Sequence, residues 1–169
     1  MKNNNRFACC VVTGLCFLVS SPSHAEGGTV DINFAIKSNA YAVQMEDSTI
    51  TARGGGGTAT LSYSSGGPFT DGAIATIQFA SYSKKTISGL ELEAHGVATF
   101  SSDDTLLLFE RRSGDRAVGV SSEGSFELIS GTGRFTGVSG RCKYKIDDDS
   151  GDWNFNLAKC QWIYTFPYR

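Results

Sequence analysis

The chain has little of what most catalytic and metal sites are built from. Its 169 residues include only five cysteines, two histidines and three prolines. Three of the cysteines and one histidine lie within the first 25 residues: Cys9, Cys10, Cys16 and His24. Beyond that point remain His95, Cys142 and Cys160. Since a zinc site usually has four ligands, we expect no metal and no cofactor.

The first residues have the pattern of a secretory signal peptide. Lys2 and Arg6 give a positively charged start, and residues 7–19 form an apolar run. The small residues Ser23 and Ala25 then occupy the positions that a signal peptidase recognises. We therefore predict cleavage after Ala25.

Cleavage leaves a signal peptide at 1–25 and one domain at 26–169, exported to the periplasm or outside the cell. The apolar run is shorter than the roughly 20 residues of a transmembrane helix, so no integral membrane segment is expected after cleavage. A lipid anchor on Cys16 is the alternative. Bacterial lipoprotein signals have Gly, Ala or Ser before the cysteine, whereas Leu15 precedes it here.

Basic residues are scarce where a nucleic-acid surface would need them. Without Lys2 and Arg6, the 15 basic residues become 13, against 17 acidic ones. Arg111, Arg112 and Arg116 lie among acidic neighbours. Binding to a phosphate backbone needs a basic face, so no nucleic-acid partner is expected.

No stretch beyond residue 25 has the 3.6-residue apolar period of an amphipathic helix. Short runs instead alternate apolar and polar residues, apart from one continuous apolar run at 106–109. These runs are 30–36, 41–45, 59–63, 75–79, 90–94, 106–109, 126–128, 144–146, 153–157 and 162–166. Turn signals lie between them, among others at 53–57, 64–68 and 101–104. Short strands without crossover helices predict an all-β fold, an antiparallel sandwich or barrel.

Residues 131–140 read Gly-Thr-Gly-Arg-Phe-Thr-Gly-Val-Ser-Gly, with four glycines in ten residues. We interpret this segment as a tight turn and bulged strands, with Phe135 and Val138 as apolar anchors in the core. A phosphate-binding loop is excluded. The glycine spacing differs from Gly-x-Gly-x-x-Gly, and a strand pattern follows where a helix should begin.

This segment resembles the Gly-Thr-Gly-x-Phe-x-Gly-x-x-Gly stretch of the allene oxide cyclase and dirigent superfamily. The strand before it, 124–130, and the approach through 107–111 are similar as well. The likeness covers roughly residues 100–145, and the chain as a whole resembles small exported bacterial proteins of this barrel type with no assigned activity. The resemblance implies a single antiparallel barrel of about eight strands, whose apolar cavity holds a fatty-acid epoxide or guides phenoxy radicals. None of that superfamily's catalytic residues matches a position here, so the catalytic residues stay unknown.

Cys142 and Cys160 are predicted to form a structural disulfide, because two cysteines in an exported chain usually pair. They flank an acidic turn signal at 147–152, and hairpin pairing brings them close. Strict pairing about that turn places Cys142 nearer Leu157, so a bulge or a diagonal contact is needed. A redox or metal pair is the alternative, but catalytic dithiols usually have the spacing Cys-x-x-Cys.

Three further features have a functional and a simpler interpretation. His95 lies beside Glu91 and Glu93. Its functional interpretation is a general base, and its simpler interpretation is a surface histidine. The acidic turn at 147–152 does not match the ligand positions of an EF-hand loop, which leaves a solvated hairpin tip as the simpler interpretation. One face of the last segment carries a stripe of mostly aromatic residues: Cys160, Trp162, Tyr164, Phe166 and Tyr168. This stripe is interpreted as barrel core, as the lining of a ligand cavity or as a lipid-facing band. An outer-membrane barrel is therefore an alternative, although its strands need about 9–11 residues.

Three functions fit such a barrel. The first, which we favour, is a non-catalytic binder of a small apolar molecule. The second is an isomerase or cyclase that shapes a reactive substrate and needs few catalytic residues. The third is a structural or interaction protein with a filled barrel. An open cavity with a buried polar group favours the second, an open and purely apolar one the first, and a filled interior the third.

Overall fold

Eight antiparallel strands close into one barrel in a computed structural model of the chain, which describes residues 25–101, 103–114, 123–148 and 153–165. The strands are β1 (Ala25–Gln44), β2 (Ser48–Ser64), β3 (Ile74–Thr86), β4 (Leu90–Thr99), β5 (Thr105–Gly114), β6 (Glu123–Gly131), β7 (Val138–Asp148) and β8 (Trp153–Thr165). Each strand pairs with the next along the chain, and β8 returns to pair with β1. The predicted all-β barrel of about eight strands is confirmed.

The hydrophobic core lies inside this barrel. Alternate side chains of each strand point inward, because successive residues of a strand face opposite sides. The buried core side chains of the strands are Val30, Ile32, Phe34, Ala59, Leu61, Ala75, Ile77, Ala98, Leu106, Leu108, Phe126, Leu128, Val138, Cys142, Ala158, Cys160 and Trp162. An apolar interior is the reverse of the polar lumen of an outer-membrane barrel.

One end of the barrel is filled by aromatic rings. Phe135 is fully buried, and its ring centroid lies 5.3 Å from that of Phe69 and 4.8 Å from that of Phe100. Phe69 in turn lies 5.6 Å from Trp162. These four rings pack against one another and form a plug at this end of the barrel.

The glycine-rich segment between β6 and β7 has the predicted role. It forms a 3-10 turn at Gly133–Phe135, and Val138, which is 1% exposed, begins β7 in the core. Gly133 and Gly137 have φ angles of 57° and 83°. Because L side chains rarely adopt such angles, glycine is required at both positions.

Cys142 of β7 and Cys160 of β8 form a disulfide, as predicted, with their Cα atoms 3.9 Å apart. They lie directly opposite each other, whereas strict pairing about the acidic turn places Cys142 opposite Leu157. A register shift between Ile146 and Asp148 supplies the predicted bulge. This bulge does not cause the displacement: next to the turn Asp148 already pairs with Phe155, so the centre of the hairpin lies further along the chain than expected, and the extra residue on β7 then brings the partner of Cys142 back by one position, to Cys160.

The predicted turn at 53–57 is wrong, because these residues lie inside β2 and pair with both β1 and β3. An added Cβ at Gly55 or Gly57 would collide with the main chain of β1 at Lys37 and Ala35. The glycines therefore permit a close approach of β1 and β2. Amino-acid composition alone does not distinguish such glycines within a strand from glycines that form a turn.

Candidate functional site

The end of the barrel opposite the aromatic plug contains an open cavity of about 230 Å³. Its apolar walls include Phe34, Ile36, Ile77, Phe79, Leu92, Leu108 and Phe126. Its polar lining includes Ser38, Arg53, Ser81, Glu110, Arg112, Tyr144 and Asn156. Sites for drug-sized ligands span about 300–1,000 Å³, so this cavity suits a smaller molecule.

Small inward residues keep this part of the interior open. One row of inward positions across β2, β3, β4 and β5 consists of Arg53, Ser81, Ala94 and Glu110. Ser81 and Ala94 in the middle of the row leave space between the two long side chains at its ends. On β4, Gly96 also lines the cavity without a side chain, and an added Cβ would lie 3.5 Å from Leu108 Cδ1.

Glu110, Arg112 and Tyr144 form a hydrogen-bonded cluster in the cavity wall. Arg112 Nε lies 2.6 Å from Glu110 Oε1. The Tyr144 hydroxyl donates a hydrogen bond to Glu110 Oε1 at 3.0 Å and accepts one from Arg112 Nη2 at 2.6 Å. Arg112 Nη1 also donates to the main-chain oxygen of Glu123 at 3.4 Å. When Glu110 is ionised, its charge and that of Arg112 compensate each other within a largely apolar wall.

The strand arrangement explains how these three side chains meet. Glu110 and Arg112 are two residues apart on β5 and therefore share its inward face. Tyr144 lies on β7, and β6 separates it from β5. Its partner on β6 is Gly124, where an added Cβ would collide with the Tyr144 ring. The absent side chain lets the ring extend across β6 to reach Glu110.

Burial changes the proton affinity of two members of this cluster. It raises the pKa of Glu110 above the ordinary glutamate value, although Arg112 and Tyr144 favour its ionised form. Burial, followed by the negative charge of Glu110, also raises the pKa of Tyr144. A carboxyl group whose pKa is shifted toward neutral pH is suited to exchange a proton with a bound molecule. The side chains of Arg112 and Glu110 are 30% and 14% exposed.

Asn156 of β8 adds another polar atom to the cavity lining. Its Oδ1 atom is buried and has no hydrogen-bond partner among the described residues. A buried amide oxygen without a partner is costly. A donor group on a bound molecule would satisfy it.

His95 borders the cavity but does not join the cluster of Glu110, Arg112 and Tyr144. Its side chain is 62% exposed on the outer face of β4, and its Nε2 atom lies 3.1 Å from Glu93 Oε1. Its ring lies 5.0 Å from that of Phe109. The hydrogen bond from His95 is the main cause that lowers the pKa of Glu93. The surface interpretation of this histidine is the one that the structure supports.

The other two candidate features lie partly outside the described residues. Residues 149–152 of the acidic turn are not among those the structure describes, so the solvated hairpin tip stays a prediction. In the aromatic stripe, Trp162 is buried in the core and Tyr164 packs against that core. Phe166 and Tyr168 lie beyond the described part of β8.

Sequence reasoning did not single out Glu110, Arg112 or Tyr144. A signal for the first two was present. They continue the inward phase of Leu106 and Leu108, so period two predicts charged groups on the apolar face of β5. No such signal was available for Tyr144, because its contact with Glu110 depends on Gly124 of the strand between them.

Comparisons with known proteins identify the fold and no closer relationship. The sequence matches no family model and no curated protein. The structure is similar to that of the pterocarpan synthase dirigent protein GePTS1, with a TM-score of 0.52 and 12% identity over 92% of this chain and 100% of the other. It is also similar to the pterocarpan synthase dirigent protein PsPTS1, with a TM-score of 0.47 and 14% identity over 86% and 97% of the chains. The chain thus has a dirigent-type barrel, as the glycine-rich segment predicted.

Among the residues that the structure describes, no helix has the length and apolar character needed to cross a membrane.

Proposed function

We propose that the barrel binds one small, mostly apolar molecule and holds an oxygen-bearing group of that molecule against Glu110, Arg112 and Tyr144. The observation that carries this proposal is the hydrogen-bonded cluster of Glu110, Arg112 and Tyr144 in the wall of a mostly apolar cavity. Apolar burial contributes about 25 cal/mol per Å². Burial of a few hundred Å² therefore supports affinities on the order of micromolar after association costs.

A matched pair of ligands tests this proposal. We expect 2-naphthol to bind with one-to-one stoichiometry, and naphthalene to bind more weakly because it lacks the hydroxyl group. In Tyr144→Phe the preference for 2-naphthol should shrink, while binding of naphthalene should be unchanged. Native mass spectrometry and isothermal titration calorimetry measure both. The absence of any saturable binding across a panel of phenols and fatty acids would contradict the proposal.

Catalysis of an isomerisation or ring closure is a second candidate function, which the same polar cluster favours over passive storage. Such reactions keep every atom of the substrate and need no cofactor. A protonated Glu110 would donate a proton to a substrate oxygen, and its carboxylate would recover one from carbon or oxygen as the ring closes. The similar structure of GePTS1 is described as that of a pterocarpan synthase dirigent protein, which gives this candidate support by analogy of fold only.

Turnover of a fatty-acid epoxide, followed by chromatography of the products, tests the catalytic candidate. General acid–base groups typically contribute about 10²–10⁴-fold to a rate. Glu110→Gln should therefore lower turnover by at least about 100-fold while the substrate still binds. Binding without turnover in the wild-type protein would leave the non-catalytic binder that the sequence favoured.

We further propose that the protein is exported and that the signal peptide at 1–25 is removed from the domain at 26–169. β1 begins at Ala25, so cleavage there removes a single residue of the barrel, and Glu26 remains opposite Tyr164 of β8. The disulfide suits an oxidising compartment. Intact-mass measurement should give Glu26 as the first residue. A mass that includes residues 1–25, or a diacylglyceryl adduct on Cys16, would refute this.

A further inference from the structure

Arg53 lies on the cavity wall that faces the Glu110 cluster. It is on β2, and β6 is the fourth strand from β2 in either direction around the eight-stranded ring. The strands on each side of β6 carry Glu110 and Tyr144. Arg53 also ends the inward row that passes through Ser81 and Ala94 to Glu110. The two polar regions are therefore separated by small side chains and by the open cavity.

The charge of Arg53 is not neutralised by the described part of the chain. The charged residues of the cavity lining are Arg53, Glu110 and Arg112. Glu110 and Arg112 form an ion pair. Arg53 forms neither an ion pair nor a hydrogen bond with any described residue, and it is exposed to solvent where it lines the cavity. The lining of this mostly apolar cavity thus carries one positive charge that no described side chain balances and that is accessible from solvent.

The surroundings of Arg53 suit an anionic group of a ligand. Ser81 lies directly opposite it on β3, and Ser38 lines the cavity from β1. Both hydroxyl groups are hydrogen-bond donors without a negative charge. A guanidinium group presents a planar fork of donors that matches a carboxylate, and it keeps its charge at any physiological pH.

We infer that Arg53 binds a carboxylate of the ligand, which makes the ligand a small apolar carboxylic acid. This inference rests on the proposed function, because it places the acid in the same cavity. The carboxylate lies at the β2 wall beside Ser38 and Ser81. The apolar body crosses the space left by Ala94 and Gly96, and a second oxygen-bearing group reaches Glu110.

The ligand pair decanoic acid and methyl decanoate tests this assignment, since the two differ in charge and share the apolar chain. Charge-assisted hydrogen bonds support a preference of about 10-fold or more for the acid in the wild-type protein. Arg53→Gln should abolish this preference and leave the affinity for the ester unchanged. Arg53→Lys should retain part of it. Arg111→Gln, which removes an arginine that is 74% exposed on the outer face, should leave both affinities unchanged.

The outcomes separate the two proposals. Equal affinity of the wild-type protein for acid and ester would overturn the role of Arg53 and leave the binding function intact. Loss of both ligands in Arg53→Gln, with an unaltered unfolding midpoint, would also overturn it, because a carboxylate contact cannot affect the ester. Binding of neither ligand by the wild-type protein would remove both proposals.

Discussion

At the scale of single residues, Glu110 is the group that couples the cavity to pH. Burial raises the pKa of this carboxyl above its ordinary value of 4.5. Between the unfolded and the folded pKa, the folded protein therefore retains a proton on Glu110 that the unfolded chain has released. The resulting stabilisation is present in full below the unfolded pKa and is lost as the pH rises through the raised folded pKa.

This coupling predicts a difference between wild type and Glu110→Gln. From pH 4.5 upward, the free energy of unfolding of wild type should fall relative to that of the variant, whose amide does not titrate. Urea denaturation of both proteins across this range measures the difference. Parallel pH profiles, or a wild-type stability that rises relative to the variant, would show that Glu110 is not proton-retaining in the folded state.

Phe135 is the residue on which the closed end of the barrel depends. Its side chain is fully buried between Phe69 and Phe100. Phe135→Ala should lower the free energy of unfolding by about 3–5 kcal/mol. The matched control is Tyr41→Ala, since Tyr41 is 78% exposed and its loss should change little. Equal effects of the two substitutions in chemical denaturation would contradict the proposed core.

At the scale of elements, the disulfide joins directly opposed positions of β7 and β8. Its cysteines are 18 residues apart in sequence, and closing a loop of that size stabilises by about 3 kcal/mol in the chain-entropy model. The double variant with Cys142→Ala and Cys160→Ala should lose about that much. Thiol titration of the unfolded, unreduced protein should detect no free thiol within 26–169. Two reactive thiols per chain would refute the bridge.

The outlines of the strands could be predicted, but their lengths and faces could not in every case. The runs 30–36 and 41–45 belong to one strand, β1, although their apolar residues occupy opposite phases of the alternation. The inward phase of Phe34 continues without a shift, so Tyr41 and Val43 face outward and are 78% and 63% exposed. The hydrophobic pattern alone predicts two separate strands here, whereas the main-chain pairing of β1 with β2 continues through both runs.

The apolar run in β5 illustrates the same limit. A continuous apolar run is typical of a strand covered on both faces, yet of these four residues only Leu106 and Leu108 are buried. Leu107 and Phe109 are half-buried on the outside, where Phe109 packs against His95. Side-chain contacts on the outer face depend on neighbouring strands, which local sequence does not specify.

At the scale of the whole molecule, the interior is divided into a filled and an open half. The plug around Phe135 and Trp162 closes one end, and small inward residues leave the cavity at the other. The closed barrel and its glycine-rich turn could be predicted from the sequence. The cavity could not, because whether eight strands enclose a space depends on which inward positions meet in one row. Gly96 illustrates this. It lies two residues from Ala94 on β4, but only the pairing of β4 with β3 shows that Ala94 lies opposite Ser81, so that these small residues together leave space in the cavity.

The central claim is that the open half of the interior is the ligand site, and filling it tests this most directly. An added Cβ at Gly96 makes only ordinary contacts, so Gly96→Val should fold at least as stably as wild type, since glycine weakens a strand. Its side chain occupies the cavity. The control is Val97→Thr on the adjacent outward position, which is 37% exposed. In calorimetric titration with 2-naphthol, wild type and Val97→Thr should bind alike, and Gly96→Val should bind at least about 10-fold more weakly, a loss of about 1.4 kcal/mol. A folded Gly96→Val protein that binds 2-naphthol as tightly as wild type would contradict the account.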